Sequence, residues 1–282
     1  MIIEPDAGRE PLLSAIKNAK SSIYLVMYGL TDSHFTNALI KAKQQGKKVR
    51  ILLEPHPYKN QNENHRTIQQ LQAENIALQW PSTAFTLTHQ KTFLIDQHSA
   101  IVMTFNLTKS AFAHQRNFAL ILTDPHIIEE IERVFSADWT HTITTVKNAD
   151  LIWSPNNSRE KINLFINTAK SEIKLYAPNM SDYNMIGLLA KKSRSGIQVD
   201  ILTSANTHNK KFAYLKKAGI HIHHSKHYII HAKVIMVDQK RALLGSINLT
   251  KPSIDDNREL SVITEDPDVI KQLTATFVRD LG

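Results

Sequence analysis

The spacing of hydrophobic and polar residues predicts a chain in which helices and strands alternate. Residues 9–20 place Leu12, Leu13, Ile16 and Ala19 on one helical face, and the apolar run over residues 22–28 predicts a buried strand. This alternation predicts an α/β fold with a mixed, largely parallel sheet that is covered on both faces. Further helices are expected over residues 31–45, 63–74 and 125–138, and further strands near residues 49–53, 92–96, 100–104 and 118–122.

The second half of the chain repeats the first. Pro5, Arg9 and Glu10 recur 150 positions later as Pro155, Arg159 and Glu160. Later in the chain the offset is 142, at which the stretch from His89 to Pro125 matches the stretch from His231 to Pro267. A repeated offset of this kind indicates duplication. We therefore predict two α/β halves, residues 1–142 and 143–282, that are related by a pseudo-twofold axis and share one active site.

Composition excludes several classes of protein. The chain is 42% hydrophobic, which is too apolar for a disordered chain, and it has no apolar run of about 18 residues that would cross a membrane. The absence of cysteine excludes disulfides, a thiolate nucleophile and cysteine-ligated zinc. No signal peptide is visible, so we expect a cytoplasmic protein or an exported one whose leader has been removed.

Positive charge is concentrated in the second half. The formal net charge is +8; residues 1–142 carry 14 Lys and Arg against 13 Asp and Glu, whereas residues 143–282 carry 20 against 13. Basic runs at Lys191-Lys192, Lys210-Lys211 and Lys216-Lys217 fall in predicted helices. They are interpreted either as a solvated surface or as a rim that attracts anions to the active site.

Two short motifs carry the candidate chemistry. His89-x-Lys91 and His231-x-Lys233 each lie in a predicted strand, where residues two apart point to the same face. Asn106 and Asn248 follow the two lysines by the same interval of fifteen residues. A two-fold repeat can bring both His/Lys pairs and both amides to one cleft.

This set of residues suits a phosphodiester. The lysines and asparagines can hold the non-bridging oxygens and stabilise the charge of the transition state. One neutral histidine can attack phosphorus and form a phosphohistidine, and the other can protonate the leaving oxygen. We expect neither a metal nor a cofactor, because the lysines supply the positive charge.

The two H-x-K-x-x-x-x-D motifs, which end at Asp96 and Asp238, together with Gly245-Ser246-x-Asn248, resemble the phospholipase D superfamily over nearly the whole chain. The resemblance implies a metal-independent phosphodiesterase or phosphatidyltransferase that works through a phosphohistidine. Both motifs lie in one chain, so a monomer is expected. In the first half Thr104 stands where Ser246 stands in the second, and its hydroxyl is expected to serve the same purpose.

The halves differ at one informative position. Glu259 lies 28 residues after His231, where members of the family often place a carboxylate that bonds the histidine ring, and Asn117 is its equivalent after His89. A carboxylate neighbour favours the charged imidazole. We therefore predict that His231, paired with Glu259, is the general acid and that His89, near Asn117, is the nucleophile. Asp96 and Asp238 are expected to face away from the pocket and to support the strand ends.

The histidine-rich segment over residues 221–227 is interpreted as polar residues at the pocket mouth, with a metal site as the alternative. For the whole protein three functions remain open: a phospholipid-directed enzyme, a metal-independent nuclease acting on DNA or RNA, and a non-catalytic anion-binding protein. We favour the phospholipid-directed enzyme, with peripheral contact to an anionic membrane, because single chains that contain both motifs are commonly of that type.

Overall fold

The computed structural model describes residues 1–57, 62–205 and 207–282, and it confirms the predicted α/β fold with two repeated halves. Each half contributes one mixed sheet with helices packed against it. The two sheets have the same strand order, as the duplication requires. None of the helices in the described ranges is both long and apolar enough to cross a membrane.

The first sheet is built almost entirely from the first half of the chain. The exception is a two-residue strand from the second half, β12 (Ile229–Ile230), which pairs in parallel with β7 (Gln115–Leu122) of the first half. In spatial order the sheet contains β1 (Ile2–Glu4), β7 (Gln115–Leu122), β6 (Ser99–Met103), β5 (Thr92–Ile95), β2 (Ser22–Met27), β3 (Lys48–Leu53) and β4 (Ala77–Gln79), with β12 (Ile229–Ile230) beside β7.

The second sheet repeats this order. It contains β11 (His221–His224), β10 (Gln198–Thr203), β9 (Glu172–Tyr176), β13 (Val234–Val237), β14 (Arg241–Gly245), β15 (Glu259–Thr264) and β8 (Leu151–Ser154).

Helices cover the sheets where the sequence predicts them, and their caps explain several of the boundaries. Asp32, Asp124, Asp182 and Asp266 each accept hydrogen bonds from the first-turn backbone of a helix. The α-helices are α1 (Glu10–Asn18), α2 (Ser33–Gln44), α3 (His65–Ala73), α4 (Pro125–Thr140), α5 (Ser158–Asn167), α6 (Tyr183–Arg194), α7 (Lys210–Lys217), α8 (Lys251–Asp255) and α9 (Pro267–Leu281).

The expectation of a largely parallel sheet is wrong, although both sheets are mixed. Only the pairs joined by helical crossovers, such as β2 with β3 and β9 with β10, are parallel in the body of each half. β5, β6 and β7 follow one another in the chain without an α-helix between them. β6 pairs antiparallel with both β5 and β7. Short apolar runs do not reveal this difference in the sequence.

The two sheets face each other across a shared hydrophobic core. Phe118 of β7 and Tyr176 of β9 meet there with ring centroids 5.1 Å apart. Separate cores lie between each sheet and its own helices. Because the shared core joins the halves, segments of one half lie within hydrogen-bonding distance of the other, and the candidate site is formed from both.

Candidate active site

The two His/Lys motifs lie at equivalent places in the two halves. Lys91 immediately precedes β5 and Lys233 immediately precedes β13. The motifs therefore lie just before these strands, whereas the sequence predicted that they lie within them. The strand-like pairing nevertheless extends to the lysine, because the Met103 amide donates to the Lys91 carbonyl at 2.9 Å.

Each motif is held by the backbone of the opposite half. The His89 amide donates to the Arg258 carbonyl at 2.9 Å, and the Ala232 amide donates to the Arg116 carbonyl at 3.0 Å. Arg258 directly precedes Glu259, and Arg116 directly precedes Asn117. The residue that can bond each histidine ring therefore comes from the other half of the chain.

The predicted pairing of histidines with their partners within each half is wrong. Glu259 Oε2 lies 2.9 Å from Nδ1 of His89, and Asn117 Oδ1 lies 3.0 Å from Nδ1 of His231. The interval of 28 residues is the same in both halves, so the sequence could not distinguish contacts within a half from contacts between halves. The carboxylate of Glu259 therefore lies beside His89. The prediction that it bonds His231 and favours the imidazolium of that residue is wrong.

Glu259 is fully buried and held from several sides. Its Oε1 accepts hydrogen bonds from the Ser253 hydroxyl and, at 3.2 Å, from the Asn257 amide. Burial opposes ionisation of Glu259, but His89, Lys91 and Ser253 outweigh it and hold the pKa of this carboxyl below its usual value. An ionised Glu259 can only accept, so its contact with His89 places a proton on Nδ1 and leaves the lone pair on Nε2.

The surroundings of His89 favour the neutral imidazole. Burial, with Lys91 adding to it, lowers the pKa of His89 to about 4 against the opposing effect of Glu259. Tyr28, at the end of β2, packs edge-on against the imidazole with ring centroids 4.9 Å apart. The ring is thus fixed by Glu259 through a hydrogen bond and by Tyr28 through packing.

His231 lies against an uncharged network. The Thr104 hydroxyl donates to Asn117 Oδ1 at 3.0 Å, and the Asn117 amide donates to Gln115 Oε1 at 3.3 Å. Burial, followed by the charge of Lys233, lowers the pKa of His231 well below its ordinary value. Nothing in this network favours the imidazolium as strongly as a carboxylate would.

Both lysines are buried beside their own histidines. Lys233 donates to the His231 carbonyl at 2.7 Å and to the Thr104 carbonyl at 3.0 Å, while Lys91 donates to the His89 carbonyl. Burial lowers the pKa of Lys233 to about 7, and burial together with Lys233 lowers the pKa of Lys91 well below its ordinary value. A bound anion would favour the charged form of both lysines, so two buried lysines with one buried carboxylate form a site that suits an anion.

The remaining predicted residues separate into two sets. Asn106 and Asn248 are close to the motifs: Asn106 lines a cleft with His231, and Asn248 lines a recess with Lys233. Asp96 and Asp238 lie at tight turns, where each carboxylate accepts three backbone amides and one serine hydroxyl from the segment before β2 or β9.

The Ser246 and Thr104 hydroxyls bond the backbone of the neighbouring strand. The Leu260 amide donates to Ser246 Oγ at 3.1 Å, and the Phe118 amide donates to Thr104 Oγ1 at 3.0 Å. The glycine before Ser246 is required by packing, because a Cβ at Gly245 would lie 2.3 Å from the Leu260 carbonyl oxygen.

A polar cleft opens beside His231. It encloses about 440 Å³, and the described side chains that line it are all polar, among them Thr31, Glu63, Asn106 and Gln115. A further recess of about 280 Å³ shares Thr31 and Glu63 with it, and its lining within the described ranges is also polar. The space next to His231 therefore suits a hydrophilic group rather than an acyl chain.

The histidine-rich segment lies along β11 at the edge of the second sheet. His221 Nδ1 and His223 Nε2 both contact Asp200 Oδ1, at 3.3 and 2.9 Å, and His224 Nε2 contacts the Thr207 hydroxyl at 2.9 Å. Among residues 1–57, 62–205 and 207–282, no three His, Asp or Glu side chains are arranged to hold a metal ion.

Anion binding to this site is expected to weaken as the pH rises above about 7. A bound dianion favours the charged form of Lys233, so binding raises the pKa of Lys233 and takes up a proton at any pH at which the free protein has lost it. Sulfate is a suitable probe, because its own charge is constant between pH 6 and 9. Calorimetric titration in buffers of different ionisation enthalpy measures both the affinity and the proton uptake. Equal affinity at pH 6 and pH 9 would contradict this assignment, and Lys233→Met provides the control.

Sequence reasoning missed several residues that contact His89 or the side chains that bond the two histidines. Tyr28 resembles any other aromatic residue at the end of a buried strand, so no signal marks it. Asn257 lies two residues before Glu259, and strand alternation could have placed it on the same side. Gln115 bears the same relation to Asn117, but Ser253 lies in the short helix α8, where no periodicity indicates its contact.

Comparison with known proteins gives one family. The model of the family described as "Cardiolipin synthase, PLD-like domain" matches the chain twice, over residues 12–139 and 162–281. The major cardiolipin synthase ClsA of Bacillus subtilis is 25% identical over 319 aligned positions, which cover 96% of this chain and 66% of that protein. A phospholipase D of Rickettsia prowazekii is 32% identical over 126 residues, which cover 44% of this chain and 60% of that protein. The matches thus span about 60–66% of the length of these relatives.

Two solved structures share the fold. Polyphosphate kinase from Porphyromonas gingivalis superposes with a TM-score of 0.78 at 17% identity, covering 100% of this chain and 50% of that one. Phosphatidylserine synthase from Haemophilus influenzae superposes with a TM-score of 0.75 at 12% identity, covering 99% of this chain and 86% of that one. At these identities the likeness shows the common architecture of two halves.

Proposed function

Because the chain belongs to the family of cardiolipin synthase, PLD-like domains, we propose that it cleaves or transfers the phosphodiester of a phospholipid through a phosphohistidine. The family membership confirms the resemblance to the phospholipase D superfamily, and the similarity to a cardiolipin synthase of Bacillus and a phospholipase D of Rickettsia favours a lipid substrate. The observation that carries the proposal is the meeting of two His/Lys pairs, one buried carboxylate and a polar cleft at the junction of the halves.

We assign the nucleophile to His89. Glu259 fixes the proton on Nδ1, so Nε2 presents its lone pair to phosphorus and forms the P–N bond as the bond to the leaving oxygen breaks. The carboxylate then stabilises the positive imidazole ring of the phosphohistidine. His89 is also the nucleophile predicted from the sequence. The argument for it has changed, because Glu259 lies beside the nucleophile His89 and not beside the acid His231.

His231 then serves as the acid and base. A bound phosphodiester anion offsets the burial and the lysine charges that lower its pKa, so the imidazolium forms once substrate is in place. It gives its proton to the leaving oxygen, becomes neutral, and takes a proton from the water or alcohol that attacks the phosphohistidine. Lys91, Lys233 and the amides of Asn106 and Asn248 hold the non-bridging oxygens.

The substrate class is tested by incubating the protein in EDTA with phospholipid vesicles, single-stranded DNA and RNA in parallel, with His89→Ala as the control. We expect cleavage of phospholipid that the variant loses. Cleavage of nucleic acid that the variant loses, with lipid untouched, would establish the nuclease instead. No cleavage of any substrate would favour a non-catalytic anion-binding protein.

A further inference from the structure

One exposed face of α7 combines cationic and aromatic side chains. Lys210, Ala213, Tyr214 and Lys217 are spaced so that they follow one another along the helix surface, and all four are exposed. The opposite face is buried through Phe212 and Leu215. We call the four exposed residues the α7 stripe.

Neighbouring residues of α6 extend the α7 stripe. The Arg194 guanidinium lies 5.1 Å from the centroid of the Tyr214 ring and donates to its hydroxyl at 3.4 Å. At the other end of α6, Tyr183 is 86% exposed, which is unusual for a large aromatic side chain. The surface therefore offers positive charge together with two amphipathic rings.

The first turns of α6 and α7 adjoin the candidate site. Lys211, next to the α7 stripe, donates to the Met180 carbonyl. Met180 pairs with Leu249, whose carbonyl accepts the amides of Ser181 and Asp182 at 2.9 and 3.0 Å. Leu249 directly follows Asn248, so the first turns of α6 and α7 lie beside one of the two asparagines that we place at the phosphate.

The duplicated half does not have this feature. Leu71 and Ile76 in and after α3 correspond to Leu215 and Ile220 at an offset of 144, which aligns the two helices. At that offset the stripe positions of α3 hold one cation and no aromatic residue: Arg66, Gln69, Gln70 and Ala73. The fold alone therefore does not require the lysines and tyrosine of α7, and the corresponding helix surfaces of the two halves differ in chemistry.

We propose that the α7 stripe, with Arg194 and Tyr183, docks on the surface of an anionic phospholipid bilayer and so holds the neighbouring site close to its substrate. The proposal rests on the phospholipid function proposed above. Lysine ammonium groups attract anionic lipid headgroups, and tyrosine favours the boundary between headgroups and acyl chains.

The test compares two double variants that remove the same charge: Lys210→Gln with Lys217→Gln on the stripe, and Lys41→Gln with Lys43→Gln on the exposed side of α2. Binding is measured by flotation with vesicles of phosphatidylglycerol and phosphatidylcholine. At about 1 kcal/mol per lysine, the stripe variant is expected to bind about 10- to 30-fold more weakly, with little change for the α2 variant. Equal losses in both variants, or no loss in either, would overturn the proposal.

Activity on a monomeric short-chain phospholipid separates this proposal from the function it rests on. The stripe variant is expected to retain that activity while losing activity on vesicles. Retained activity on short-chain lipid with unchanged vesicle binding would refute the docking surface alone. Vesicle binding that depends on the stripe, without cleavage of any lipid, would refute the phospholipid function alone. A stripe variant that loses only the binding of single-stranded DNA would show that the surface serves a nucleic acid instead.

Discussion

Replacing Glu259 with glutamine is expected to lower kcat by roughly 10³- to 10⁴-fold, on the scale seen when the carboxylate behind a catalytic imidazole is lost. Glutamine fills nearly the same space but can donate from its amide, so Nδ1 of His89 can become the acceptor and Nε2 can lose its lone pair. Charge is also lost beside the phosphohistidine. Steady-state kinetics on a short-chain phospholipid measure the change, and the KM is expected to move far less than kcat.

The matched control is Asn117→Asp, which places a carboxylate at the equivalent position behind His231. It is expected to raise the pKa of His231 and to shift the pH profile of kcat toward higher pH, with a much smaller loss of rate. Circular dichroism and thermal unfolding establish that both variants are folded. If Glu259→Gln retains most of its activity while Asn117→Asp abolishes it, the assignment of the two histidines is reversed.

Replacing His231 with alanine is expected to have an effect that depends on the leaving group. For an ordinary alcohol, which must be protonated as it leaves, we expect a loss of about 10²- to 10⁴-fold. For p-nitrophenol, which leaves readily as an anion, formation of the intermediate no longer needs the acid. A burst of p-nitrophenolate, seen by stopped-flow absorbance, is therefore expected to survive in the variant while turnover slows.

His89→Ala supplies the contrast, since without the nucleophile neither leaving group is released. A burst in His89→Ala together with its absence in His231→Ala would exchange the two roles. Both histidines are largely buried, and both lie close to Lys91 and Lys233. A difference between the two variants therefore reflects the roles of the histidines and not a difference in their general surroundings.

The sequence predicted the repeated halves and most of the helices and strands, because hydrophobic periodicity and the matched offsets are local signals. It also identified both His/Lys pairs as candidates for one cleft. It failed where contacts cross between the halves: Glu259 and Asn117 each lie 28 residues after one histidine and bond the other. A symmetric pattern contains no information on which half supplies the partner.

Other differences also arise from packing between distant segments. Tyr28 reaches His89 only because β2 and β5 are neighbours in the sheet. The low pKa values of the buried lysines result from their removal from water, which no motif records. The polar lining beside His231 is likewise assembled from α2, α3 and the segment after β6, which are far apart in the chain.

His89 is the residue that we propose to carry the covalent intermediate. The direct measurement is to mix the protein with a short-chain phosphatidyl-p-nitrophenol, quench in alkali, where phosphohistidine survives, and locate the added phosphorus by mass spectrometry of the peptides. We expect the adduct on His89 in the unaltered protein and its accumulation on the same residue in His231→Ala. An adduct on His231 would show that the nucleophile is His231 and that the two roles are exchanged.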